Sequence, residues 1–326
     1  MHNSFINNNY FYYKNGHNYY FYYYFYYYFR ILFFPKFWFP QYYDSITFKN
    51  NTLHNVNLGR ERATSVVICG LARNNETILK KNIPKIEALG NLFKSYKIVI
   101  FENDSVDDTR NLIHEWKEEN PNVILLDCPE KECKLKESLM YDLGALSKSR
   151  IDKMTNFRNR YLDYVKENYS NYKYMLVMDL DLEGSISFDG LLDSLGHDDW
   201  DGICINGRCP VPGSFGFSTM AYDSLAYQAK GDNTNYQITS QTLVKKLAEL
   251  NLKLSTNDLV AVNSAFNGAA IYKMSSIQNA TYSNYANCEH IGFHRSMALS
   301  GCDKIFINPL WTGYSGFQGP RNFLQF

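Results

Sequence analysis

The chain has no excess of either charge: 33 Lys and Arg residues balance 33 Asp and Glu residues. No global field draws it to nucleic acid or to an acidic membrane. Its 7 cysteines include no Cys-x-x-Cys pair, which argues against a zinc site. No helix-turn-helix pattern or basic stripe is present either, so nucleic acid is a poor partner. Apolar residues are not lacking. They make up 45% of 326 residues, enough for one large domain or two small ones.

Aromatic residues are crowded into 10–43. Three readings of that segment stay open. One is a signal-anchor helix over Asn18 to Phe34, which would make the protein a type II membrane protein of a secretory compartment. The second is low-complexity sequence, and the third a translated upstream region; without an anchor the protein is cytoplasmic. Tyr prefers the membrane interface to its interior, Arg30 interrupts the run, and Pro35 and Pro40 end any regular helix. Residues 44–62 are polar and read as a linker. The division expected is 1–60 for this segment and linker, and 61–326 for a catalytic domain. Cys128/Cys133 and Cys204/Cys209 are close enough in sequence to form disulfides in a lumenal domain, and equally plausible as free thiols.

From Thr64 onward strands and helices alternate. TSVVICGLA (Thr64 to Ala72), YKIVIFEND (Tyr96 to Asp104), NVILLDC (Asn122 to Cys128) and Tyr172 to Met178 read as strands. Helical spacing covers Glu76 to Phe93, Asp107 to Glu119 and Arg150 to Asn168. Such alternation implies a parallel sheet with helices on both faces. The second half is less regular. Trp200 to Asn206 and the segment around AAIYK read as strands, Gly207 to Gly216 as loop, Thr239 to Asn251 and Glu289 to Leu299 as helices, and Lys304 to Ile307 as a closing strand.

The most informative stretch is YMLVMDLDLEG, Tyr174 to Gly184. An apolar strand ends in Asp179-Leu180-Asp181. Alternation along a strand puts both carboxylates on one side. Two carboxylates that close repel unless a cation or water separates them. Oxygen-only ligands suit Mg²⁺ or Mn²⁺ with positions left for a phosphate. The plainer reading is a polar strand end leading into a turn. Two further clusters lie at strand ends, where ligands bind in such sheets. Glu102 and Asn103 can reach a nucleobase or ribose, although Asp107 also suits a helix cap. Arg73 and Asn74 end the first strand comparably. Arg158 and Arg160 cannot face the same way on a helix. One is a solvated charge, and the other is placed to grip a diphosphate.

Taken in order, these segments resemble the GT-A-fold glycosyltransferases. FENDSVDDT resembles the acidic pattern after the second strand, FRNR the Arg-Asn element, and MDLD the Asp-x-Asp motif. FNGAAIYK resembles the strand beside the acceptor, and CEHIGFHRSMALSG the Glu-Asp-bearing helix. The match spans roughly residues 64 to 308. FSTMAYDSLAYQ and CEHIGFH are similar to the fungal capsule-associated α-1,3-mannosyltransferases, glycosyltransferase family 69. The resemblance implies a single GT-A, Rossmann-like domain with a mostly parallel sheet. It implies a metal-dependent hexosyltransferase using Mn²⁺ or Mg²⁺, a nucleotide diphosphate sugar donor and a glycan or glycoconjugate acceptor. Arg73, Asn74, Glu102 and Asn103 would frame the nucleotide. Asp179 and Asp181 would hold the metal, completed by His294, by His290 or by water. Arg158 would bind the diphosphate, and Glu289 would serve as base or as acceptor orienter. The chain departs from the pattern at Glu102, which replaces an Asp, and at His290, which replaces the second acidic residue. Two alternatives remain. One is a non-catalytic carbohydrate-binding protein on this fold. The other is a nucleotidyltransferase, disfavoured because GLARNNE has only one Gly and one Arg.

Overall fold

The computed structural model describes residues 50–128, 148–213, 216–232, 240–255, 257–286 and 288–315. The aromatic segment 10–43 lies outside them. Among the described residues no helix is long and apolar enough to cross a membrane. The chain divides into two compact units, 47–211 with 218–326, and 1–46 with 212–217. Of the second, only 212–213 and 216–217 are described, as strand residues. The account below concerns the first.

Its centre is a sheet. β1 (Ser65–Ala72), β2 (Ser95–Glu102), β3 (Val123–Asp127) and β4 (Tyr174–Met178) are the first four strands read from the sequence. They pair in parallel in the order β3-β2-β1-β4. The sheet continues through β5 (Gly202–Gly213), β6 (Gly216–Ala221), β7 (Gln228–Ala229), β8 (Val260–Ser264), β9 (Ala269–Lys273) and β10 (Ile305–Tyr314). Its full order is β3-β2-β1-β4-β9-β5-β10-β8-β7, with β6 on β5. β9 runs antiparallel between β4 and β5, and β8 antiparallel to β10. The remaining strands on that path share one direction, so the sheet is mostly parallel in direction and mixed in pairing. β5 is longer than expected, because the segment from Gly207 continues the strand to Gly213.

Strand residues alternate between two cores, as a pleat requires. Val67, Cys69, Val99, Met175 and Val177 face one side. There they meet α4 (Lys148–Tyr169), α6 (Ser240–Lys253) and α7 (Glu289–Leu299). Val66, Ile68, Ile98, Ile100 and Leu176 face the other. They meet α2 (Glu76–Gly90), α3 (Thr109–Glu119) and α5 (Phe188–Gly196). Helices therefore cover both faces of an α/β sheet, as the alternation implied. Cys204 and Cys209 are free thiols, and Cys128 is disulfide-bonded.

The linker reading is corrected over its second half. Residues Asn50–Arg62 form a helix, α1, packed along α5. Its only buried apolar side chains are Val56 and, just beyond its end, Ala63, so hydrophobic spacing does not announce it. Close backbone approach replaces an apolar stripe. A Cβ on Gly59 would stand 1.8 Å from the Leu192 carbonyl oxygen. Arg62 Nη1 donates to the carbonyls of Leu195, Gly196 and His197 at 3.3, 2.9 and 2.9 Å. It thereby satisfies the end of α5, whose last carbonyls have no helical partner. Gly59→Ala is expected to push α1 off α5 and to cost about 1–3 kcal/mol of stability, the range for overpacking. A urea unfolding curve checks this. An unchanged midpoint would mean that the two helices do not touch.

Candidate functional site

The parallel strands end together. The tips of β1 at Ala72, β2 at Glu102 and β4 at Met178 share one edge, and chain order reverses between β1 and β4. Such a reversal opens a crevice at the strand ends.

The Asp pair stands there, for a reason other than the pleat. β4 stops at Met178, so Asp179 and Asp181 lie in the turn beyond it. That turn is held from both sides. The Asp179 N–H donates to the Gly268 carbonyl at 2.8 Å, where β9 begins. Gly268 has φ +97°, a conformation that disfavours any side chain. From α2, Asn82 Nδ2 donates to the Leu180 carbonyl at 2.9 Å. Lys85 Nζ donates to the carbonyls of Glu183 and Gly184 at 3.0 and 3.1 Å. The carboxylates are thus fixed by the backbone under them.

Of the two arginines of FRNR on α4, Arg160 is exposed and Arg158 is buried. Arg158 Nε donates to Glu289 Oε1 at 3.0 Å, and its Nη2 lies 3.6 Å from Asp179 Oδ1. Nη1 donates to the Tyr161 hydroxyl at 3.2 Å. The guanidinium carbon stands 5.2 Å from the centre of the Phe266 ring. Glu289 is the first residue of α7, where the helix dipole favours a carboxylate. Arg158 therefore joins the carboxylate just beyond β4 to the one that opens α7, two groups 110 residues apart in sequence.

A fourth carboxylate completes the cluster. Asp223, in the loop between β6 and β7, accepts from the N–H groups of Leu225 and Ala226 at 3.0 and 3.2 Å. Burial raises its pKa and Glu289 adds to the rise, against its own backbone bonds and Arg158. The sequence offers it only as an acceptor-side alternative to Glu289, because a lone Asp in a loop has no periodicity. The available signal was Asp-Ser-Leu-Ala, an acidic residue able to bond the backbone two and three residues on. One guanidinium thus pairs with Asp179 and Glu289, and its charge is also felt by Asp181 and Asp223. Burial, and then Asp181, push the Asp179 carboxyl up to about 8. The Asp181 carboxyl is raised too, by burial first, although its residue is exposed.

This electrostatic excess tests the fit of a divalent ion. Two crowded carboxylates with raised pKa values and only oxygen donors suit Mg²⁺ or Mn²⁺. Among the described residues no group of three or more His, Cys, Asp or Glu is placed to hold a metal. The two carboxylates Asp179 and Asp181 fit such an ion with coordination positions left open. His294 is corrected as a ligand. Its Nδ1 is bonded to Ser264 Oγ at 2.9 Å and its Nε2 to the Tyr272 hydroxyl at 3.0 Å, so neither nitrogen is free. Burial holds that imidazole neutral, with a pKa lowered to about 3.

The expected nucleotide residues divide into two kinds. Asn74, at φ 49°, is a staple between loops. Its Oδ1 accepts from the Val106 N–H at 2.8 Å, and its own N–H donates to Ser105 Oγ at 3.0 Å. Glu102 is fully buried, with Oε1 accepting from the Ser105 N–H at 2.8 Å and Oε2 lying 3.6 Å from Arg110. Both shape the loop. Asn103 differs, because its buried Oδ1 has no hydrogen-bond partner. Arg73 stands beside it, half-buried. Asp107, expected as a helix cap, serves two helices. Its carboxylate accepts from the N–H groups of Thr109 and Glu76 at 3.1 and 3.2 Å.

No protein-family model matches the chain, and no curated protein matches it in sequence. Solved structures do match, at low identity. Staphylococcus aureus TarS 1–349 is 12% identical with a TM-score of 0.42, over 80% of this chain and 62% of that one. The mannosyltransferase PcManGT from Pyrobaculum calidifontis, in complex with GDP-Man and Mn²⁺, is 10% identical with a TM-score of 0.45, over 81% and 65%. GalNAc-T7 with UDP, GalNAc and Mn²⁺ is 11% identical with a TM-score of 0.44, over 79% and 45%. The chain thus spans less than two thirds of the length of these structures.

A pH dependence follows from Asp179. Its carboxyl keeps its proton to higher pH in the folded chain than in the unfolded one. Between about pH 4 and about 8 the folded state therefore binds more protons, and stability falls as pH rises. The side chain is a quarter exposed, so solvent screens part of the effect. In chelator-treated protein the melting temperature is expected to drop from pH 5 to pH 8, and Asp179→Asn to flatten that slope. A flat parent profile would mean that the carboxylate is ionised without strain.

Proposed function

We propose that this protein is a metal-dependent glycosyltransferase. It moves a sugar, mannose foremost, from a nucleotide diphosphate sugar to a hydroxyl of a glycan or glycoconjugate. The observation that carries this reading is Arg158 spanning Asp179 and Glu289 at the crevice between β1 and β4. The reaction must accommodate charge on a departing diphosphate and remove a proton from an attacking hydroxyl. Arg158, held by Glu289, Asp179 and Tyr161, offers fixed positive charge where the diphosphate leaves. Such preorganised electrostatics needs no reorganisation during the reaction, and each group is worth about 2.7–4 kcal/mol. Asp179 and Asp181 would hold Mn²⁺ or Mg²⁺, whose charge would be added to that of Arg158. Glu289, on the acceptor side of Arg158, takes the proton from the hydroxyl. Arg73 and Asn103 face the nucleotide from the β1 and β2 tips. The mannose assignment rests on the likeness of FSTMAYDSLAYQ and CEHIGFH to the family 69 enzymes.

A panel of GDP-mannose, UDP-glucose and UDP-N-acetylglucosamine, with Mn²⁺ or with chelator, tests the reading. One donor is expected to raise the melting temperature only with metal, and to release its nucleotide diphosphate. Saturation at about 100 times Kd stabilises by about 2.7 kcal/mol. Binding of free glycan with no response to any nucleotide would support a non-catalytic carbohydrate-binding protein instead.

A further inference from the structure

We propose that His290 is the positioning residue of Glu289: its Nε2–H holds Oε1 of that carboxylate, so that Oε2 is the oxygen presented to the acceptor. The proposal rests on the transferase reading above.

His290 is 3% exposed, and neither Nδ1 nor Nε2 has a hydrogen-bond partner. A buried polar group left in that state is destabilising and calls for an explanation. The same helix shows that this chain can satisfy a buried histidine, since both nitrogens of His294 are bonded. The His290 ring is clamped. It stacks on Phe266 with centres 3.7 Å apart and planes at 15°, and it meets Tyr282 nearly edge to face at 5.9 Å. The clamp aims Nε2 at Glu289 Oε1, 3.7 Å away. Burial, and then the Arg158 cation, hold the imidazole neutral, so it carries a single N–H.

Arg158 Nε already donates to the same Oε1. Among the described residues no hydrogen bond reaches Oε2. A second donor on Oε1 fixes the rotation of the carboxylate and leaves Oε2 open. The 3.7 Å gap exceeds a hydrogen bond, but catalytic contacts are often long without substrate and tighten in the complex. Packing alone accounts for the ring and not for the nitrogens, because phenylalanine fills the same slab without orphaned polar atoms.

Two measurements test this. The first needs no substrate. In ¹⁵N-histidine-labelled, metal-free protein, with His290→Gln used to assign the signal, His290 is expected as a neutral imidazole protonated at Nε2. That Nε2 resonance should move in Glu289→Gln. A proton on Nδ1, or a resonance indifferent to Glu289→Gln, overturns the proposal. The second uses Mn²⁺-dependent turnover of GDP-mannose. His290→Phe should fold with an equal or higher melting temperature and keep its KM. It should lose about 10-fold or more in kcat, as misplaced catalytic groups do. His290→Gln, which retains an N–H donor, should recover part of that loss. In a Glu289→Gln background His290→Phe should cost nothing further. Full turnover in His290→Phe, or an equal loss in both backgrounds, makes His290 a packing residue. Normal turnover of Glu289→Gln alone removes the base reading before His290 is altered, so the two failures are distinct. If the parent does not turn over GDP-mannose, the resonance test decides.

Discussion

Asp181→Ala should abolish metal-dependent donor binding and leave the melting temperature at or above that of the parent. Asp181 is exposed, and among the described residues its side chain bonds no other element. What it does is crowd Asp179, whose carboxyl it helps push up to about 8. Removing one of two like charges relieves that repulsion, so the fold loses nothing by the change. The proposed ion would lose one of the two carboxylates that the described residues offer it. Turnover should fall about 10²–10³-fold, the usual scale for one electrostatic group. Calorimetric titration of GDP-mannose with and without Mn²⁺, beside a thermal melt, reads both effects. Unchanged affinity in the variant would remove the metal-site reading.

Glu289→Gln separates chemistry from binding. Glutamine keeps an oxygen for Arg158 Nε and gives up the ability to take a proton. The residues proposed to meet the donor lie on the tips of β1, β2 and β4, so nucleotide-sugar affinity should hold. Transfer should fall by about 10²-fold or more, as for loss of a general base. A helix-start role predicts the reverse, a loss of about 0.3–1 kcal/mol of stability with normal turnover of the folded fraction. Melting temperature and transfer rate on one preparation decide between them. The second outcome would move the search for an acceptor-side group to Asp223.

The first half of the fold was legible because its signals are local. β1 to β4 are short apolar runs, β1 and β4 almost wholly buried, and helices with apolar spacing lie between them. Asp179 and Asp181 stood out where such a run ended. The second half was harder to read. β5 contains Gly207, Pro210, Pro212 and Gly213, which read as loop, yet it runs on to Gly213. The helix α5 went unread as well. It is only nine residues long, and its partner α1 meets it through close backbone approaches at Gly59 and Gly196 instead of an apolar stripe of its own. The site residues show the same division. Arg158 and Glu289 carried recognisable surroundings. Asp223 and His290 acquire meaning only from what folds against them, and His294 lost its proposed role to Ser264 and Tyr272.

β4 has a strand on each side, β1 and β9, and the amide of Asp179 is bonded to Gly268. Its amides can exchange with solvent only when the sheet opens as a whole. Residues 104–108 are tied differently, by side-chain bonds, several of them at exposed positions such as Asn74 to Val106. They can open in small local events. Two clocks therefore run in one molecule. The loop proposed to meet the base breathes while the sheet is intact, and the carboxylates proposed to meet the diphosphate keep their place for the lifetime of the folded state.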